Sequence, residues 1–164
     1  LLMTTSGSRQ LPQATMAARR VMLHRPASGD MGSLADHLMR VFQVIGSPGY
    51  PPEPEMFRQR LLRSVQRAWR PAGTLRQLVA VAADGDRTPL LARIQAPTHV
   101  IHGMADPLIP LANGQDLARR ISGATSDFVE GMGHDLPLAL LPRFAQGITV
   151  NAGRAVKQFV SQPR

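Results

Sequence analysis

The stretch from Pro97 to Gly133 restricts the fold more tightly than any other part of the chain. Thr98-His99-Val100-Ile101-His102 reads as a strand that starts after Pro97 and stops at Gly103. A helix is expected from about Leu111 to Ile121, with Leu117, Ala118 and Ile121 on one face. Ser122-Gly123-Ala124 then turns the chain into a second strand, residues 125–130, which Gly131-Met132-Gly133 breaks. Strand, helix and strand at this spacing make a right-handed parallel crossover, so the fold class is α/β. Leu90-Leu91-Ala92-Arg93-Ile94 reads as a short apolar lead into the first strand, and Leu138 to Val160 as one or two closing helices.

Residues 13–90 follow a different pattern, helical and interrupted by Pro and Gly. Leu34, Leu38, Val41, Phe42 and Ile45 keep helical spacing until Gly46-Ser47-Pro48-Gly49 stops them. Pro51-Pro52-Glu53-Pro54 leads into a helix in which Phe57, Leu61, Val65 and Trp69 recur every four residues, a stripe closed by Pro71. Leu75, Leu78, Val79 and Ala82 predict a third helix ending near Asp84-Gly85-Asp86. At the other end, Leu1-Leu2-Met3-Thr4-Thr5 is apolar and β-prone, and Ser6-Gly7-Ser8 turns after it. That is the expected end of a core strand, so the chain reads as a fragment. Three regions result: a strand end and turn over 1–12, a helical region over 13–90, and an α/β region over 91–164.

Composition narrows the function. The 164 residues carry a formal charge of +8, and 18 of the 19 basic residues are arginine. Residues 1–76 hold 11 arginines against four acids, whereas residues 77–164 are nearly balanced. Arg58, Arg60, Arg63, Arg67 and Arg70 mostly fall off the apolar stripe of their helix, as on a solvated face. Aromatics are 4% of the chain, which leaves few platforms for stacking bases, and no nucleic-acid partner is expected. No apolar run approaches the roughly 18 residues of a membrane span and no signal peptide opens the chain, so no membrane partner and a cytoplasmic location are expected. The chain has no cysteine, which excludes disulfides, thiolate metal sites and a cysteine nucleophile. Its five histidines lack metal-ligand spacing, so neither a metal nor another cofactor is expected.

In open α/β sheets, ligands bind outside the carboxyl ends of the strands. Two loops leave such ends, His102 to Pro110 and Glu130 to Pro137, and each carries one titratable candidate, Asp106 and His134. Taken singly, an Asp before Pro is an ordinary turn residue and a His after a Gly-rich turn an ordinary cap. Parallel neighbouring strands would nevertheless bring both to one edge. A carboxylate accepting the imidazole Nδ1–H would fix its tautomer and leave Nε2 as a base. Glycines 131 and 133 allow the tight backbone that lifts a His from a strand end. His102 at the strand end, His99 within the strand, and His24 and His37 in the helical region rank lower.

These residues carry a resemblance. Ala96-Pro97-Thr98-His99-Val100-Ile101-His102-Gly103, then Asp106 and Pro110, then Gly131-Met132-Gly133-His134, resemble the C-terminal part of an α/β-hydrolase, nearest to bacterial esterases of the aclacinomycin methylesterase kind. The resemblance implies about three parallel strands with helices, a helical cap over 13–90, and an absent N-terminal half. By the same resemblance Asp106 is the triad acid and His134 the triad base. It is specific only over about 90–137; the cap matches by position and helical character.

The nucleophile elbow G-x-S-x-G occurs nowhere in the chain, and the family places it before Leu1. A dyad without serine and oxyanion donors is expected to be inactive alone. Three readings stand: a C-terminal fragment of a serine carboxylic ester hydrolase, a member of the epoxide hydrolase or dehalogenase type with an upstream Asp nucleophile, and a non-catalytic binding or assembly module. Expected partners are a small-molecule ester and either the missing N-terminal half or further copies of the chain. Phe57, Trp69 and Met104 are candidate pocket residues; for Phe42, Ile45, Phe57, Leu61 and Trp69 packing within the cap competes with that role.

Overall fold

A computed structural model describes residues 4–160. Four helices come first. α1 (Met16–Leu23) is capped by Thr15, whose side chain accepts the Ala18 N–H, and α2 (Met31–Ile45) by Asp30, which accepts the Ser33 N–H. α3 (Pro54–Arg67) carries Pro at its first turn and is capped by Glu53, which accepts from Glu55 and Met56. α4 (Pro71–Asp84) follows after three residues. Ala18, Val41 and Ile45 form the buried centre of the α1–α2 pair, and Phe42 meets Phe57 edge-to-face at 5.2 Å between ring centroids.

One expectation fails in this region. Trp69 does not extend the stripe of Phe57, Leu61 and Val65: those three are buried, but α3 ends at Arg67 and Trp69 lies in the link to α4. The cause is Pro71 at the start of α4, which disfavours helical backbone at Arg70 and forces a break. α4 ends at Asp84, as its apolar spacing predicts, and no residue of that helix is buried.

The α/β region keeps to its expected order. The short helix α5 (Thr88–Leu91) stands where an apolar lead was expected, and its Leu91 joins the core. β1 (His99–Gly103) and β2 (Thr125–Val129) pair in parallel around α6 (Leu111–Arg120), with His99 opposite Thr125 and Gly103 opposite Val129. Among the described residues these are the only two strands. Of the expected strand end at the start, Leu1 to Met3 lie outside the described residues, while Thr4 and Thr5 are not extended into a strand. A 3-10 turn (Leu138–Leu140) leads into α7 (Leu141–Val160). Alternation along β1 splits the core: Val100 packs with Leu117 and Ile121, and Ile101 with Val129, Met132, Leu140 and Phe144. Among the described residues no helix is long and apolar enough to cross a membrane.

Candidate active site

Parallel pairing releases the loops after β1 and β2 at the same edge, and backbone hydrogen bonds lace them together. Met104 N–H donates to Val129 O and Ala105 N–H to Met132 O, both at 2.9 Å. Asp106 sits at the centre of this lacing. Its Oδ1 accepts the N–H groups of Leu108 and Ile109, each at 2.8 Å, which closes an Asx-type turn over Pro107. Its Oδ2 accepts from His134 Nδ1 at 2.8 Å. The Asp106 side chain is wholly buried, while that of His134 keeps 23% of its surface exposed.

This arrangement assigns the protons. An ionised carboxylate only accepts, so Nδ1 of His134 carries the shared hydrogen and Nε2 is left with its lone pair. Both Asp106 oxygens are occupied in the ionised form, which holds the carboxylate in one orientation. The pair can therefore take a proton at Nε2 and stabilise the imidazolium that results, while the acid stays sealed from water.

His102 supports the acid loop from below. It is fully buried, and its Nε2 donates to Ile109 O at 2.7 Å, 3.8 Å from Asp106 Oδ2. Its Nδ1 is buried without a hydrogen-bond partner among the described residues and lies against Gly114 of α6, where an added Cβ would be 2.6 Å from that nitrogen. The glycine thus admits the ring. His99 Nδ1 pairs with Thr125 Oγ1 at 2.8 Å, a cross-strand contact away from the dyad. His24 and His37 stack in the helical region at 6.0 Å, and burial, then the nearby charge of Arg40, holds the His37 pKa below its ordinary value.

The structure scatters the three pocket candidates. Phe57 is buried and lines a cavity of about 470 Å³ between the α2–α3 region and the strand-end loops, with Phe42, Ser47, Ala105, Pro107 and Asp135. Met104 is half exposed beside the acid loop. Trp69 lines a different cavity, of about 670 Å³, with His37, Leu75 and Leu78. Gly131 adopts φ +70°, the left-handed turn expected of it. Gly133 is required for another reason: a Cβ there would fall 2.2 Å from Gly46 O. The segment after α2 presses directly on the histidine loop, with His134 N–H donating to Ile45 O at 2.6 Å. Ser47 and Asp135 take part in that contact and were not singled out from sequence; Gly46-Ser47-Pro48-Gly49 reads only as a helix stop.

No protein-family model matches the chain. Over 145 residues it is 28% identical to the rhodomycin D methylesterases of Streptomyces peucetius and of Streptomyces sp. (strain C5), a match covering 88% of this chain and 48% of each relative. An esterase from Exiguobacterium antarcticum shares its fold with a TM-score of 0.60 at 18% identity, over 82% of this chain and 45% of that one. The chain is an α/β-hydrolase by fold. A hydrolase from Pseudomonas aeruginosa PA01 agrees, with a TM-score of 0.52 at 25% identity over 86% of this chain and 52% of that one. The chain spans about half the length of the curated relatives it matches.

Proposed function

We propose that these residues are the C-terminal part of a serine-dependent carboxylic ester hydrolase. Asp106 is its acid and His134 its base, and the serine and oxyanion donors come from chain outside the 164 residues. The carrying observation is the buried Asp106 carboxylate, fixed by two backbone N–H groups and hydrogen-bonded to the Nδ1 of a His134 that still reaches the surface. The methylesterase names of the curated relatives support an ester substrate, and their greater length supports a nucleophile outside this segment.

In the complete enzyme, Nε2 of His134 removes the serine proton as the oxygen attacks the ester carbonyl. The imidazolium, held by Asp106, then protonates the leaving alcohol. Water, deprotonated by the same Nε2, hydrolyses the acyl-enzyme and restores the serine. Without nucleophile and oxyanion hole this chain alone has no step to perform.

The test is hydrolysis of a series of simple methyl and 4-nitrophenyl esters by the complete protein and by His134→Ala. Turnover abolished in the variant, with its thermal unfolding unchanged, supports the reading. Equal turnover in both proteins, or loss of folding together with activity, overturns the assignment of His134.

A further inference from the structure

We propose that Ser47 and Asp135 are a positioning pair, fastening the cap to the loop that carries His134 so that its imidazole stays in line with Asp106. The inference rests on the acid and base roles given to Asp106 and His134.

The cap segment 45–49 lies against the histidine loop 131–135. Gly49 N–H donates to Gly131 O at 2.9 Å at one end, and His134 N–H donates to Ile45 O at 2.6 Å at the other. Between them the Ser47 hydroxyl accepts the Gly133 N–H at 2.9 Å and donates to the Asp135 carboxylate. Ser47 is 5% exposed, and the loop it serves is 86 residues away in sequence. A hydroxyl offers one proton and two lone pairs, so accepting from Gly133 and donating to Asp135 fixes its rotor. Alanine at 47 would strand a buried N–H and remove the donor that holds Asp135.

Small residues at the contact are a steric need. A Cβ on Gly133 would fall 2.2 Å from Gly46 O, and one on Gly49 would fall 2.9 Å from Gly131 Cα. The two backbones touch where the pair sits. Asp106 fixes His134 only through Nδ1, a single bond that allows the loop beneath to shift. The Ser47 relay holds the residues on either side of His134, Gly133 and Asp135, and so fixes the main chain from which the ring projects. One consequence is mechanical: the cap cannot lift at this edge without carrying the base with it.

The test is proton NMR of the complete protein. The wild type is expected to show a slowly exchanging, low-field His134 Nδ1–H resonance that Asp106→Asn removes. Ser47→Ala should broaden or abolish that resonance and speed amide exchange at Gly133 and His134 by about tenfold or more. Asp135→Ala, at a partly exposed position, should act in the same direction and decides the matter if Ser47→Ala does not fold. A resonance unchanged in both variants, even with faster amide exchange, overturns the positioning role while leaving the dyad intact. No such resonance in the wild type, or one indifferent to Asp106→Asn, counts against the dyad and takes this proposal with it.

Discussion

Asp106 holds three hydrogen bonds with two oxygens, and each has a different consequence when it is lost. Asp106→Asn keeps the volume but places an amide opposite His134 Nδ1, which favours the wrong tautomer. In the complete protein kcat/KM for an ester should fall by about 10⁴-fold with little change in Tm, read by steady-state kinetics and calorimetry. Gly114 supplies a sharper structural prediction. Helix propensity alone says that Gly114→Ala stabilises α6 by about 1 kcal/mol, yet the new Cβ would lie 2.6 Å from the buried His102 ring. Overpacking should win, with a net destabilisation of about 1–3 kcal/mol in urea unfolding. Asp106 and His134 were legible because each follows a strand end in a glycine- or proline-marked loop. Ser47 was not, because its partners are remote in sequence and its own neighbours spell an ordinary helix stop.

At the scale of elements, the sequence pattern places α6 and both strands to within a residue and marks the apolar faces of α2 and α3. It misplaces Trp69, where the backbone demand of Pro71 overrides a four-residue repeat, and it carries no sign that α4 would bury nothing. Periodicity shows which face is apolar but not whether a partner stands opposite. The junction of β2 with α7 is electrostatic as well as apolar: Arg143 Nε donates to Asp127 Oδ2 at 2.7 Å, and the guanidinium holds that carboxyl below its ordinary pKa. A depressed folded pKa contributes stability at neutral pH that is lost as pH falls through it, below the ordinary 3.8. Arg143→Gln should therefore lower stability at pH 7 by up to about 1 kcal/mol, given the partial exposure of the pair, and flatten the acid limb of stability against pH.

For the whole molecule, a two-stranded parallel sheet is a small centre for this many helices, and apolar side chains lie open on α4 and α7, among them Leu75, Val79, Ile148 and Val156. The isolated chain is expected to self-associate or to bind further chain through such surface. Sedimentation should show the isolated chain shifting from monomer to larger species as concentration rises, and a strict monomer at all concentrations would contradict this. The arginines of α3 fall where a solvated face puts them, with Arg58 paired to Asp36 at 3.0 Å and Arg60 over the Phe57 ring at 4.8 Å. If Asp106 and His134 serve a serine outside these residues, fluorophosphonate labelling of the complete protein, followed by peptide mapping, should find one modified serine before Leu1, its labelling lost in His134→Ala. A label on any serine within the 164 residues, or labelling indifferent to His134, would contradict that role.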